Sequence, residues 1–254
     1  MSRIPKLFLK RSEKVIPFLT AGYPDKSQTV KIVLAAEESG ASMVELGMPF
    51  SDPLADGLII QQASQVAIKN GVNIKWIFEM VKEIRESSEI PLVLMGYINP
   101  IIKYGLIKFM EDCQMAGVDG VIIADLPPEE AEEFVQLARE NKISPILLVA
   151  PNTSPSRIKT ISDFAGDLIY CVAILGITGS SGNDMGSLAS YLGRVEENSS
   201  CPFIVGFGIK DREDVIEINK LAHGAVVGSA IITVIDGSSS PIDTVKKYIE
   251  KLVK

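Results

Sequence analysis

The strongest constraint on the fold is a repeated order of short apolar segments, each followed by a stretch with the period of a helix. The eight apolar segments are residues 15–22, 43–47, 91–97, 120–126, 144–150, 168–174, 203–208 and 224–230. Each is nearly continuous in apolar residues, which is typical of parallel strands buried on both faces. The sequence therefore predicts parallel strands that alternate with helices.

The number of units favours one architecture for this alternation. Eight strand–helix units within 254 residues have the size of a closed (β/α)8 barrel, the TIM barrel. No linker, low-complexity tract or large shift in composition interrupts the chain, so residues 1–254 are predicted to form a single domain. A doubly wound open sheet is the alternative, because a strand count from one sequence carries an error.

The first residues are predicted to cover one end of the barrel. Residues 2–14 are expected to form a small amphipathic helix. Its positions at helical spacing are Ile4, Leu7, Phe8 and Arg11. Lys6 and Lys10 interrupt the apolar residues, so the segment lacks the continuous core of a signal peptide. No apolar run approaches the length that spans a membrane.

Charge and cysteine content narrow the class of protein. The formal net charge of -7 argues against a nucleic-acid or anionic-membrane partner, which would require lysine and arginine to neutralise phosphates. The three cysteines, Cys113, Cys171 and Cys201, form no CxxC pair. An odd number of unpaired cysteines indicates reduced thiols, so we expect a cytoplasmic protein.

Two carboxylates frame the loop after the second apolar segment. Glu45 lies inside that segment, and Asp56 lies in the loop that follows it. A carboxylate within an apolar strand is costly to bury. The pattern alone leaves two roles open for these acids, namely catalysis and a structural role as a helix cap or ion-pair partner.

The active groups of such a barrel project from the carboxyl ends of the strands. Polar groups at these ends are Glu45, Asp56, Tyr97, Asp125, Tyr170 and Lys210. Glycine-rich turns at 176–179, 206–208 and 228–229 could bring backbone amides close to a phosphate, although tight strand-to-helix turns explain any one of them. The only histidine, His223, precedes the eighth strand at the opposite end. Acid–base chemistry is therefore expected from carboxylates, tyrosines or lysine.

Five motifs occur in a fixed order along the chain. They are ELGMPFSDPLADG at 45–57, IADLP at 123–127, GITG at 176–179, GFGI at 206–209 and VVGSAI at 226–231. In these motifs the chain closely resembles the tryptophan synthase alpha subunit family, over essentially its whole length. The resemblance implies retro-aldol cleavage of indole-3-glycerol phosphate into indole and glyceraldehyde 3-phosphate. It also implies a beta subunit that receives indole and carries pyridoxal phosphate, with no cofactor or metal in this chain.

The resemblance also implies a role for individual residues. The catalytic positions of the family fall on Glu45, Asp56 and Tyr170. The substrate-binding positions fall on Phe18, Tyr97, Asp125 and Thr178, and those of the phosphate site on Gly179, Gly208, Gly228 and Ser229. Asp52 and Pro53 match positions that face the beta subunit.

Elementary chemistry is consistent with this assignment. Cleavage requires a proton on carbon three of indole, and the ring nitrogen must then share the positive charge. An acid kept protonated by an apolar setting can donate that proton, while an ionised acid accepts the N–H. We expect burial to raise the pKa of Glu45, and the loop-borne Asp56 to stay ionised.

Two departures from the family pattern leave alternatives open. Leu58 stands where the family commonly has proline, and residues 173–175 are apolar where it usually has polar residues. Both changes concern the loops expected to close over the site, including the one that carries Thr178. One alternative is a barrel that serves mainly as an allosteric or scaffolding subunit. Another is a phosphosugar isomerase or Schiff-base aldolase, for which Lys210 is the nearest lysine.

Overall fold

Eight parallel strands close into a barrel in sequence order in the computed structural model, which describes residues 2–173, 185–206 and 208–254. The strands are β1 (Val15–Thr20), β2 (Val44–Gly47), β3 (Leu92–Gly96), β4 (Gly120–Ile123), β5 (Ser144–Val149), β6 (Ile169–Val172), β7 (Phe203–Gly206) and β8 (Ala225–Val227). The predicted closed barrel is confirmed and the open sheet is wrong, because β1 pairs with both β2 and β8.

Helices surround this barrel. They are α1 (Ile4–Leu7), α2 (Thr29–Glu38), α3 (Leu58–Lys69), α4 (Ile74–Arg85), α5 (Ile98–Tyr104), α6 (Leu106–Ala116), α7 (Glu132–Glu140), α8 (Pro155–Ala165), α9 (Met185–Asn198), α10 (Arg212–Leu221), α11 (Ser229–Asp236) and α12 (Pro241–Val253), with a 3-10 turn at Pro128–Glu130. In the described ranges, no helix combines the length and apolar character needed to cross a membrane.

The strands are buried on both faces, which explains their continuous apolar sequences. Along each strand every second side chain points into the barrel, and these side chains form an inner cluster. Its strand residues are Ile16, Phe18, Val93, Ile122, Ile146, Tyr170, Ile204 and Val226. The alternate side chains point outward and pack against the helices. The predicted segments run past several strands at their carboxyl ends, because apolar character continues into the first turn of the next helix, as at 229–230.

The N-terminal segment covers the amino ends of the strands, as predicted, but its helix is only one turn long. Ile4 and Phe8 are buried against the inner cluster. The expected helix over 2–14 is wrong beyond residue 7. There the backbone turns around the ammonium group of Lys14, whose Nζ donates to the carbonyl oxygens of Lys10 (3.0 Å) and Ser12 (3.1 Å).

A buried carboxylate holds several elements together at this same end. Asp119 is 1% exposed and accepts hydrogen bonds from the backbone N–H groups of Arg3 and Leu92, each at 2.9 Å. The Arg85 guanidinium donates to its second oxygen at 2.8 Å. This cluster therefore links the N-terminal segment, α4 and β3, away from the end where the carboxyl termini of the strands meet.

Candidate active site

A cavity of about 580 Å³ opens at the carboxyl ends of the strands. Of the residues predicted for the site, those that line it are Phe18, Asp56, Tyr170, Gly208, Gly228 and Ser229. Most of the remaining wall is apolar and includes Ile60, Met95, Leu148, Val172 and Val226. Loops from distant parts of the chain thus form one compartment with an apolar interior and an acid on its wall.

Glu45 lies on the inward face of β2, next to Phe18 of the cavity wall, and is not itself among the residues that line the cavity. It pairs in register with Phe18 of β1 and Val93 of β3, and its side chain is fully buried. Neither carboxyl oxygen has a hydrogen-bond partner among the described residues. Loss of hydration raises the pKa of Glu45 to about 8. The carboxyl group is therefore mostly protonated at neutral pH, as the sequence predicted.

Asp56 has a different environment, on the wall of the cavity. It is half-buried, and the Tyr97 hydroxyl donates a hydrogen bond to its carboxylate. Burial raises the pKa of Asp56, and the bond from Tyr97 opposes that shift. Asp56 is therefore partly removed from water although it lies in a loop. Its hydrogen bond nevertheless favours the ionised form, and Glu45 has no such bond.

Tyr97 also fixes the backbone of the loop that carries Asp56. Its hydroxyl oxygen accepts a hydrogen bond from the backbone N–H of Ala55 at 3.0 Å. Its ring contacts that of Phe50, with the centroids 5.3 Å apart. The buried Tyr97 side chain therefore holds both the Asp56 carboxylate and the main chain of the loop between β2 and α3, residues 48–57, which we call the acid loop.

The Tyr170 side chain lies over Gly206 of the neighbouring strand β7. Burial raises its pKa well above the usual value, and the nearby negative charge of Glu45 adds to this shift. A Cβ atom at Gly206 would lie only 2.1 Å from the Tyr170 hydroxyl oxygen. Only glycine at position 206 leaves room for this tyrosine in its present position.

The start of α11 offers a surface for an anion. Gly228 precedes the helix and Ser229 begins it, and no side chain caps its first turn in the described part of the structure. A Cβ atom at Gly228 would meet nothing nearer than Ile60, at 4.0 Å. The first backbone amides of α11 are therefore next to open space in the cavity, where a helix N-terminus favours negative charge.

Other predicted residues lie away from the cavity wall or outside the described ranges. Asp125 is exposed, and its carboxylate accepts a hydrogen bond from the Ile98 N–H at 2.8 Å, at the start of α5. Asp52 is exposed and Pro53 half-exposed in the acid loop. Thr178 and Gly179 lie outside the described residues.

The remaining titratable candidates have structural or exposed positions. Lys210 is exposed, and no lysine lines the cavity in the ranges that the structure describes. His223 lies at the amino end of the barrel, where its Nδ1 accepts a hydrogen bond from the Phe203 N–H at 3.4 Å. The described residues contain no group of three or more histidine, cysteine or acidic side chains that could hold a metal ion.

Sequence reasoning did not single out Thr20, at the end of β1. Its hydroxyl is buried without a hydrogen-bond partner in the described ranges, the only side chain besides Glu45 with this property there. By strand alternation it faces inward with Ile16 and Phe18. A polar residue in register with inward apolar residues was the signal that could have identified it.

Comparison with known proteins assigns the chain to a family. The family model described as tryptophan synthase alpha chain matches residues 6–254. The tryptophan synthase alpha chain of Petrotoga mobilis is 46% identical over 254 residues, with 100% of this chain and 98% of the relative covered. That of Chlorobaculum tepidum is 41% identical over 252 residues, with 96% of this chain and 94% of the relative covered.

Solved structures agree with these matches. The tryptophan synthase a2b2 complex of Pyrococcus furiosus contains a chain that superposes with a TM-score of 0.90 at 40% identity, covering 96% of this chain and 98% of that one. The alpha subunit of Legionella pneumophila gives a TM-score of 0.92 at 32% identity, covering 99% of this chain and 97% of that one. This chain therefore belongs to the tryptophan synthase alpha chain family.

Proposed function

We propose that this chain cleaves indole-3-glycerol phosphate into indole and glyceraldehyde 3-phosphate by a retro-aldol reaction. The observation that carries this proposal is Glu45, a buried acid without a hydrogen-bond partner whose pKa is raised to about 8. A second acid, Asp56, lies on the cavity wall with a hydrogen bond that favours its ionised form. The reaction needs one acid in each state.

The two acids have different tasks in this reaction. The Glu45 carboxyl group donates its proton to carbon three of indole, while the Asp56 carboxylate accepts a hydrogen bond from the ring N–H and stabilises the cation. The bond from carbon three to the glycerol chain then breaks, and its electron pair restores the aromatic ring. The hydroxyl group on the departing carbon becomes a carbonyl, and its proton returns to Glu45.

The cavity provides a matching surface for each part of the substrate. Phe18, Ile60, Met95 and Leu148 form an apolar wall suited to the indole ring. No lysine or arginine lines the cavity in the described ranges. We therefore assign phosphate binding to the backbone amides at the start of α11, beside Gly228 and Ser229. Gly179, Gly208 and the Thr178 hydroxyl complete the proposed substrate site.

We further propose a beta subunit as partner. In the Pyrococcus furiosus structure the relative forms an a2b2 complex. The acid loop here exposes Asp52 and, nearly completely, the apolar side chain of Leu54 at 88%. Leu58 begins α3 and is 75% exposed. Apolar side chains beside Pro53 suit a protein interface, through which indole would pass to a partner that carries pyridoxal phosphate.

This chain needs no cofactor for the proposed steps, and we assign the reaction to the cytoplasm. All three cysteines, Cys113, Cys171 and Cys201, are buried as free thiols. Reduced thiols fit a reducing compartment.

The test of the reaction class is a product analysis of the wild-type chain with indole-3-glycerol phosphate, with and without the beta subunit. We expect equal amounts of indole and glyceraldehyde 3-phosphate, and no covalent adduct after borohydride treatment. A trapped adduct that Lys210→Ala abolishes would show a Schiff-base aldolase instead. Absence of indole under both conditions would show a scaffolding subunit and contradict the proposal.

A further inference from the structure

Two helices that begin at the cavity are attached at their far ends to the same loop. The loop, residues 21–28, connects β1 to α2. The Tyr23 hydroxyl donates to Asp236 at 2.5 Å, and Asp236 is the last residue of α11. Asn70, directly after α3, donates to the carbonyl oxygens of Gly22 and Pro24, each at 3.1 Å. The loop thus holds both helices at the ends opposite the cavity.

We propose that Tyr23 is a positioning residue for the phosphate group, acting through Asp236 and α11. The bond to Asp236 sets where the first amides of α11 lie relative to the cavity. This inference rests on the proposed function, in which those amides bind the phosphate. It adds a residue that neither lines the cavity nor contacts the substrate.

Backbone conformation, a hydrogen bond and close packing hold this loop in place. Gly22 has a φ of +84°, in the region that favours glycine, and its N–H donates to the Thr29 hydroxyl at 3.0 Å. A Cβ atom at Gly22 would lie 2.1 Å from Val72, so the loop is packed closely against the connection after α3. Tyr23 itself is only 7% exposed.

The bond from Tyr23 restrains helix α11 along its axis. The helix has 8 residues and is therefore about 12 Å long. The apolar contacts of Ile231, Ile232 and Ile235 hold it sideways against the barrel, but such contacts are not directional. A hydrogen bond from Tyr23 does fix the axial position, because it weakens steeply with distance and angle. Movement along the axis would carry the anion-binding amides with it.

The chemistry of Asp236 supports a positioning role. A negative charge at the carboxyl end of a helix opposes the helix dipole and is unfavourable. Asp236 therefore does not serve as a cap for α11, and its carboxylate is otherwise exposed to water. Its distinguishing contact is the bond to Tyr23, which spans 213 positions of the sequence.

The experiment compares Tyr23→Phe with the wild-type chain. Loss of the hydroxyl group should raise KM for indole-3-glycerol phosphate and Kd for glycerol 3-phosphate by about three- to tenfold. kcat and the Kd for indole, which lacks a phosphate, should stay within about twofold of wild type. Glycerol 3-phosphate binding is measured by calorimetry, without turnover.

Changes at Asp236 provide the matched controls. Asp236→Asn keeps an acceptor and should bind glycerol 3-phosphate nearly as the wild type does. Asp236→Ala should weaken binding as much as Tyr23→Phe, and the double variant should be no weaker than either. Asp236 is exposed, so Asp236→Ala still tests the positioning role if Tyr23→Phe fails to fold.

The results separate this inference from the proposed function. Unchanged glycerol 3-phosphate binding in Tyr23→Phe or Asp236→Ala, in a chain that releases indole, would overturn the inference alone. Equal weakening of indole and glycerol 3-phosphate binding would show a general structural role and overturn it too. Absence of glycerol 3-phosphate binding by the wild type would overturn the inference together with the proposed phosphate site.

Discussion

Replacing Glu45 by glutamine should change how the stability of the protein depends on pH. In the folded state burial raises the pKa of Glu45 to about 8, whereas 4.5 is the ordinary value that the unfolded chain regains. Between these two values the folded state binds a proton that the unfolded state has released. The free energy of unfolding must therefore fall as pH rises through this window. Below 4.5 and above 8 this group contributes no further change.

The size of the effect follows from the two pKa values. One pKa unit corresponds to about 1.4 kcal/mol, so a shift from 4.5 to about 8 is worth on the order of 5 kcal/mol. Glutamine has a similar shape but does not ionise in this range, so it lacks this dependence. Its buried amide costs about 1–3 kcal/mol without a hydrogen bond, but that cost is the same at every pH.

Urea unfolding at pH 5, 7 and 9 measures this difference. All other titrating groups are shared by wild type and Glu45→Gln and cancel in the comparison. We expect the stability of Glu45→Gln relative to wild type to increase by several kcal/mol from pH 5 to pH 9. Glu133→Gln, at an exposed position on α7, should show no such trend. A relative stability of Glu45→Gln that is the same at pH 5 and pH 9 would refute the reasoning.

Three further changes test other parts of the site and the fold. Tyr97→Phe removes the bond that lowers the pKa of Asp56, so the acidic limb of the kcat/KM profile should move to higher pH; an unchanged limb would exclude this role. Gly228→Ala should keep Tm within a few degrees but weaken glycerol 3-phosphate binding by about tenfold or more. Gly237→Ala, at the far end of α11, should leave that binding unchanged. Equal affinities of the two variants would show that the phosphate does not bind at the start of α11. Asp119→Ala should lower the urea-measured stability by about 3 kcal/mol, since it removes the ion pair of the largely buried Arg85 guanidinium and the acceptor of two backbone N–H groups; a loss below about 1 kcal/mol would contradict that reading.

The sequence predicts the barrel well because the relevant signals are local. Apolar runs identify strands buried on both faces, but a continuous run does not show which side chains face inward; the inward positions of Phe18, Glu45 and Tyr170 follow from the folded barrel. The carboxyl ends of parallel strands meet at one edge, so the positions of Glu45 and Asp56 in the chain predict that both lie near that edge.

Other features depend on contacts between distant parts of the chain. The short α1 reflects the wrapping of the backbone around Lys14, which no periodicity indicates. The exposure of Asp125 and its bond to the start of α5 depend on where two loops meet. The bond from Tyr23 to Asp236 joins nearly opposite ends of the sequence, so only the folded structure reveals it.

The most direct test of the central claim, that Glu45 donates the proton which starts cleavage, is the kcat for indole release by Glu45→Gln. The amide keeps the shape of the side chain but cannot donate that proton. We predict a kcat lower than wild type by about 10²–10⁴-fold, with Glu133→Gln unchanged. A Glu45→Gln chain that releases indole within about threefold of the wild-type rate would contradict the claim, because a lost general acid costs far more.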